Sequence, residues 1–419
     1  MGATETHLAI EAVWKIESAR LIAGLTRIVR DVGVAEELAQ DALVVALEKW
    51  PESGIPDNPG AWLMGTAKHR AIDFLRRGTL IDEKHEVLGR EMAEREMRVP
   101  DLAAAMDDNI GDDMLRLVFI ACHPVLSTEA RVALTLRLLG GLSTDEIARA
   151  YLVSEPTMAQ RIVRAKKTLS DAHAPFEVPR GAEFSARLSS VLQVLYLIFN
   201  EGYSATAGDD WMRPALCEEA LRQGRILAEL VPNEPEVHGL VALMEIQASR
   251  SKARVTASGE PILLLDQDRA KWDRLLIGRG LAALDRAQKL RGVPGPYAIQ
   301  AAIAACHAQA LAAEDTDWLM IAELYGDLSR IEPSPVVELN RAVAVAMASG
   351  PAAGLALVDV LNDDPVLKNY HLLPSVRGDL LKKLGRRIEA REEFEKAASI
   401  TRNARERNLL LERARECGD

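Results

Sequence analysis

Residues Gly141 to Leu169, GLSTDEIARAYLVSEPTMAQRIVRAKKTL, admit few local structures. Ser143 and Glu146 have the S-x-x-E spacing in which hydroxyl and carboxylate satisfy each other's free backbone N–H groups, so a helix is expected from Thr144. The run TDEIARAY is short, and LVS interrupts it. Ser154 is placed to cap a second helix, with Pro156 tolerated in its first turn. Along that helix Met158, Ile162, Ala165 and Leu169 fall at i, i+4, i+7 and i+11, the spacing of one buried stripe. The opposite face presents Thr157, Gln160, Arg161, Arg164, Lys167 and Thr168. The segment is therefore predicted to be a helix-turn-helix with a donor-rich outer face. Arg and Gln suit base edges in a major groove, and Lys and Thr suit phosphates. Taken alone, an ordinary helical hairpin with a solvated face fits the segment as well.

The chain as a whole is acidic, with a formal net charge of −11 over 419 residues. That balance argues against indiscriminate coating of DNA and leaves a local contact, with a partner supplying much of the binding energy. Ala and Leu are abundant, aromatics are 4% and β-branched runs are rare, so an all-α fold is expected nearly throughout. The four cysteines, Cys122, Cys217, Cys306 and Cys417, are far apart and none forms a C-x-x-C pair. Neither a disulfide framework nor a metal site is expected, and a reducing cytoplasm is the natural compartment. The start, MGATETHLAI, lacks the basic and apolar regions of a secretory signal, and no apolar run is read as long enough to span a bilayer.

The N-terminal residues add context to the helix-turn-helix. Leu8 to Arg30 has helical periodicity, and a second helix is expected from about Ala35 to Trp50. Its inward face reads Leu38, Ala42, Val45 and Ala46, and its outward face Glu36, Glu37, Gln40 and Asp41. The turn-rich loop PESGIPDNPG follows. Then comes AWLMGTAKHRAIDFLRR, with Trp62, Ala67, Ala71, Phe74 and Leu75 as its expected core. Lys68, Arg70, Arg76 and Arg77 make that helix locally basic, with only Asp73 against them between Asn58 and Arg77.

Three blocks in order, DVGVAEELAQDAL…W, NPGAWLMGTAKHRAIDFLRR and GLSTDEIARAYLVSEPTMAQRIVRAKKTL, resemble an extracytoplasmic-function sigma factor of the sigma-70 family. The first two resemble sigma region 2 and the third resembles region 4, over about residues 8 to 172. The resemblance implies a protein that binds core RNA polymerase and directs initiation at particular promoters. It implies that Glu36, Glu37, Gln40 and Asp41 dock on the polymerase. It implies that the loop from Glu52 to Asn58, with Lys68, His69, Arg70, Arg76 and Arg77, handles the −10 element of promoter DNA. His69 stands where the family usually has Asn. Thr157, Gln160, Arg161, Arg164 and Lys167 would meet the −35 element.

Residues 78–110 hold nine acidic and four basic residues, a net of −5. They read either as an acidic connector able to mimic nucleic acid or as a solvated spacer. The organisation expected is sigma region 2 over 8–77, the acidic linker over 78–110 and sigma region 4 over 111–172. A helical extension with a small hairpin in ARVTASGEPILLLDQDRAKWD is expected over 178–290, as in one subgroup of these sigma factors. Tetratricopeptide-like helix pairs are expected over 296–414. The clearest pair is RGDLLKKLGRRIEAREEFEKAASI, where Gly378, Gly385, Ala390, Phe394 and Ala397 occupy the small and aromatic positions of that repeat. Concave faces of such stacks bind peptides, which makes a protein or peptide partner a candidate, and an irregular helical domain is the competing reading.

Other classes find less support. GRGLAA at Gly278 to Ala283 fits G-x-G-x-x-A but follows a helical run without a βαβ context. No H-E-x-x-H, G-x-S-x-G or P-loop is present, so no catalytic residue, cofactor or metal is assigned. Glu201, Asp209 and Asp210 are the carboxylates an enzyme reading would use. A stand-alone helix-turn-helix regulator with a protein-binding repeat domain is the main alternative, and the acidic face between residues 35 and 50 argues against it.

Overall fold

The structure is a computed structural model that describes residues 3–86, 110–290 and 292–418. It forms two compact units, residues 1–194 and 195–419. Much of the acidic connector, residues 87–109, lies outside the described residues.

The first unit begins with α1 (Ala3–Val29), α2 (Val32–Ser53) and α3 (Pro59–Glu86). Asp31 starts α2 by accepting from the N–H groups of Gly33 at 2.7 Å and Val34 at 3.0 Å. Asn58 does the same for α3 through Ala61 N–H at 3.0 Å. α1 packs on both neighbours and on α4 (Ile110–Ala121). α5 (Thr128–Leu138), α6 (Thr144–Ala150) and α7 (Glu155–Asp171) complete the helix-turn-helix region.

The expected core of α3 needs correction. Leu63, Ala67 and Ala71 are buried, but Phe74 and Leu75 are 43% and 42% exposed. The buried stripe Leu63, Ala67 and Ala71 therefore ends before Phe74 and Leu75, although both continue the same helical period.

α8 (Ala182–Tyr203) runs through the division between the units. By length and composition alone it could cross a membrane, contrary to the sequence reading that no apolar run was long enough. Its apolar positions Leu188, Val191, Leu192, Val194, Leu195, Ile198 and Phe199 are nonetheless buried in protein.

The second unit continues with β1 (Ala207–Gly208), α9 (Pro214–Leu230), α10 (Pro235–Ala248) and three short 3-10 turns. It then forms α11 (Arg274–Lys289), α12 (Pro296–Gln309), α13 (Trp318–Ile331), α14 (Pro335–Ser349) and α15 (Pro351–Leu361). α16 (Leu372–Lys383), α17 (Arg387–Ile400), β2 (Arg402–Asn403) and α18 (Ala404–Glu416) end it. From α12 onward each helix packs on its neighbour in sequence. In the α16–α17 pair, Ala390, Phe394 and Ala397 are fully buried, and a Cβ on Gly378 would stand 2.9 Å from the Phe394 ring.

The polar loop after α8 is held by contacts remote in sequence. β1 pairs in parallel with β2. Asn403, 1% exposed, donates through Nδ2 to the carbonyls of Ala205 at 3.0 Å and Asp210 at 2.9 Å. Its Oδ1 meanwhile caps α18. Arg254 stacks 3.4 Å from the Tyr203 ring centre and bonds the Tyr203 carbonyl. Burial lowers the proton affinity of that guanidinium. The hairpin expected in this stretch shrinks to one antiparallel bridge, Val255 to Pro261, closed by Gly259 at φ +83°.

GRGLAA lies inside α11. Gly280 lets that helix approach α10 closely, since a Cβ there would meet Ile246 Cγ1 at 2.5 Å and the Ala242 carbonyl at 3.1 Å. Gly278 has nothing within 4 Å. Gly280→Ala should therefore destabilise the second unit by about 1–3 kcal/mol, whereas Gly278→Ala should stabilise it by about 0.5–1 kcal/mol. Urea midpoints of the two variants check the pair. Equal effects of the same sign would contradict the packing role.

Candidate nucleic-acid and polymerase interface

The helix-turn-helix forms as its caps dictate. Ser143 Oγ accepts from Glu146 N–H at 3.1 Å, and Glu146 Oε2 accepts from Ser143 N–H at 2.7 Å. Leu152, at φ +51°, makes the sharp turn. Ser154 then caps α7 through Thr157 N–H at 3.3 Å. Met158, Ile162, Ala165 and Leu169 are buried as one stripe.

The opposite side of α7 leaves Thr157, Gln160, Arg164 and Lys167 exposed. Arg161 is half-buried and lies within electrostatic reach of Glu129. The Glu129 carboxyl sits below its usual range, chiefly through its own backbone N–H and the Ser127 hydroxyl at the start of α5, with Arg161 adding to the effect. Thr168 is half-buried and bonds its hydroxyl back to the Arg164 carbonyl at 2.9 Å.

On α2, Glu37 and Asp41 are exposed and Gln40 is half-buried. Glu36 departs from the sequence expectation. Its side chain is 3% exposed and faces inward. Arg137 Nε of α5 donates to its Oε1 at 2.6 Å, Lys166 Nζ of α7 pairs with its Oε2, and Gln40 Nε2 donates to Oε1 at 2.7 Å. The expectation failed because α2 has helices on more than one side. A 3.6-residue period that reads Glu36 as solvent-facing cannot see α5 and α7 arriving from later in the chain. Val44 and Leu47, which the outward set omitted, are exposed on α2 at 51% and 38%. Their position beside Glu37 and Asp41 on the helical period was the available signal.

On α3, Arg70 Nη1 pairs with Asp41 Oδ2 at 2.6 Å, which ties the acidic and basic helices together. His69 is exposed and donates from Nδ1 to the Gly65 carbonyl at 2.6 Å. Lys68 is half-buried and Arg76 exposed, while the side chain of Arg77 lies outside the described residues. Asn58 is exposed and also caps α3.

Residues outside these faces have structural duties. Cys122 is buried beside the Thr135 hydroxyl at 3.4 Å, and burial pushes its thiol up to about 11. His123 accepts from Val125 N–H at 3.2 Å in the following turn. In the second unit Glu201 pairs with Arg213 and accepts from the Thr206 hydroxyl at 2.9 Å. Asp209 and Asp210 are exposed. Among the described residues no group of three or more His, Cys, Asp or Glu side chains gathers as metal ligands.

A capped helix-turn-helix with an exposed basic and amide face, packed on a helical domain with adjoining acidic and basic faces, defines a DNA-binding transcription factor. The family comparisons refine this class. Residues 17–80 match the model of sigma-70 region 2 and residues 116–169 that of sigma-70 region 4. Residues 187–288 match a family of unknown function, DUF6596. The chain is 45% identical to an uncharacterized protein of Rhizobium meliloti (strain 1021), over 91% of this chain and 89% of the relative. It is 27% identical to the ECF RNA polymerase sigma factor SigK of Mycobacterium sp. (strain KMS), over 37% of this chain and 77% of the relative. It is 25% identical to the probable ECF RNA polymerase sigma factor SigI of Mycobacterium tuberculosis (strain ATCC 25618 / H37Rv), over 40% of this chain and 56% of the relative. No solved structure matches. The chain belongs to the extracytoplasmic-function sigma factors of the sigma-70 family, with a helical C-terminal extension. It is an alternative sigma factor that directs transcription initiation.

The two caps order the recognition element. Ser143→Ala and Ser154→Ala should each cost about 1 kcal/mol of stability. Thermal melts of the single variants check this, and a melt unchanged by both would contradict the capping account.

Proposed function

We propose that the exposed face of α2, formed by Glu37, Gln40 and Asp41 with Val44 and Leu47, docks on core RNA polymerase. Asn58, Lys68, His69, Arg70, Arg76 and Arg77, on or just before α3, engage the −10 element. Thr157, Gln160, Arg161, Arg164 and Lys167 of α7 engage the −35 element. The observation that carries this reading is the exposure of Thr157, Gln160, Arg164 and Lys167 along a helix whose other side is fully committed to packing. Such a face can lie in a major groove without any rearrangement of α7 itself. Asp41, held by Arg70, aligns the docking face with the helix that follows, so polymerase binding would orient the −10 residues.

Arg164 and Arg161 divide the work. The exposed Arg164 reads a base edge, and Arg161, half-buried and near Glu129, positions the helix against phosphate. The C-terminal extension acts on the sigma unit in cis. Its helix pairs from α12 onward stack like tetratricopeptide repeats and offer a face to a peptide or protein partner. The protein works in the cytoplasm, with core polymerase.

Two outcomes follow. Glu37→Lys should weaken binding to core polymerase about tenfold, or about 1.4 kcal/mol, in a fluorescence titration, with an unchanged melting curve. Unaltered affinity would remove α2 as the docking face. Arg164→Ala should cost about 1–3 kcal/mol and relax preference at a single −35 position, whereas Arg161→Ala should weaken all −35 variants alike. Run-off transcription over a set of −35 substitutions distinguishes them, and a uniform loss for both would assign both to phosphates.

A further inference from the structure

We propose that the second unit holds a phosphate-binding site built on Arg250, Arg254 and Arg269, which takes free phosphate or the phosphate group of a small ester. None of its residues belongs to the faces assigned to promoter or polymerase.

An imbalance of charge is the first observation. Half-buried arginines elsewhere in this unit face a carboxylate: Arg213 meets Glu201, Arg377 meets Asp359 and Glu393, and Arg413 meets Asp379. Arg254 and Arg269 are each 7% exposed and Arg250 is half-buried, yet none of the three pairs with a carboxylate among the described residues. They bond neutral oxygens instead. Arg250 donates from Nη2 to the Tyr203 hydroxyl and to the Gln247 amide oxygen, and Arg254 donates from Nη1 to the Tyr203 carbonyl. Arg269 donates from Nη1 to the carbonyls of His307 at 2.6 Å and Ala310 at 2.8 Å, and from Nη2 to the Thr316 hydroxyl at 3.1 Å. Glu314 and Asp315, both exposed, act on Arg269 from beyond pairing distance. A guanidinium cannot shed its charge in a protein, so the three cations are left to be matched from outside the chain.

The three cations are also gathered in one place. Arg254 lies 3.4 Å from the centre of the Tyr203 ring and Arg250 5.7 Å from it. Arg250 and Arg269 lie 5.8 Å and 4.9 Å from the centre of the Trp272 ring. Their field reaches a neighbour. Burial, and then Arg250 and Arg269, push the His307 imidazole down to about 4, so that ring is neutral at physiological pH. Four nitrogens here, Arg250 Nε, Arg269 Nε, Trp272 Nε1 and His307 Nδ1, are buried with no hydrogen-bond partner among the described residues. Aromatic faces offset part of the cost of burying a guanidinium, but they do not satisfy the N–H groups in its plane.

This set of donors selects phosphate. Arg250 follows α10, Arg254 follows the short turn after it, and Arg269 and Trp272 precede α11. Groups carried by separate turns do not form one planar fork. A planar carboxylate serves a single guanidinium well, whereas a tetrahedral phosphate accepts from several directions at once. Against three cations, a phosphate also brings about two negative charges near neutral pH, where a carboxylate brings one. Arg250 is the point of entry, being the most exposed of the three, and its Nη1 makes no bond to a described residue. Rotation of that long side chain towards a ligand frees its Nε as a further donor.

Melting of the full-length chain in Tris at constant ionic strength provides the test. Inorganic phosphate should raise the melting temperature saturably, and chloride or acetate at the same ionic strength should not. Glycerol 3-phosphate that binds more tightly than inorganic phosphate would mark the natural ligand as an ester, and the reverse order would mark it as free phosphate. By isothermal titration, Arg250→Gln should weaken phosphate binding about tenfold, the loss expected for one charge-assisted bond. Arg250→Lys keeps the charge but loses the fork, and it should also weaken binding. That variant decides the matter if the glutamine variant does not fold. Arg164→Ala, which removes a phosphate-competent cation from α7, should not weaken it. No saturable shift with phosphate or its ester would overturn the proposal, and so would equal shifts from acetate. Binding abolished by Arg164→Ala but kept by the Arg250 variants would place the phosphate on the helix-turn-helix and overturn it as well.

Discussion

The buried carboxylate of Glu36 is the constraint on which the first unit turns. A carboxylate taken out of water costs several kcal/mol unless its charge is matched and its oxygens are bonded. Here Arg137 and Gln40 bond Oε1, and Lys166 pairs with Oε2. The arrangement fixes the roll of α2. With Glu36 directed inward, Glu37, Asp41 and Val44 must face out, and the Asp41–Arg70 pair then sets α3 beside them. Removing the Glu36 carboxylate would leave Arg137 and Lys166 without their shared counter-charge.

Elements set by neighbours in sequence were legible from the sequence, and those set by distant neighbours were not. The capping box at Ser143 and Glu146, the Ser154 cap and the buried stripe of α7 depend on residues within a few turns, and all stand as read. Glu36 was misplaced because Arg137 lies 101 residues away. Phe74 and Leu75 were misplaced because helical period alone does not report how far along a helix its neighbours cover it. The pairing of β1 with β2 had no sequence signal, since its anchor Asn403 meets Ala205 across 198 residues. The domain-level resemblance survived these errors because it rests on the order and spacing of whole helices.

The extension obeys a different logic. Its first part is held by arginines laid on aromatic rings, Arg254 on Tyr203 and Arg269 on Trp272, with backbone carbonyls taking up the guanidinium N–H groups. Its later part is a run of helices in which small residues permit close approach, as Gly354 does against Ala346 and Gly378 against Phe394. α8 belongs to both units: Arg187 bonds the Phe119 carbonyl at 2.9 Å in the first, and Tyr196 bonds Gln300 at 3.2 Å in the second.

The central claim is that this acidic chain gains promoter specificity only in company with the polymerase. Run-off transcription on the DNA upstream of the protein's own coding region tests it most directly, with core polymerase alone, the protein alone and the two together. The account predicts a discrete transcript only from the combination, and no sequence-specific footprint from the protein alone at physiological salt. A transcript of equal yield from core polymerase alone, or a tight footprint from the free protein, would contradict it.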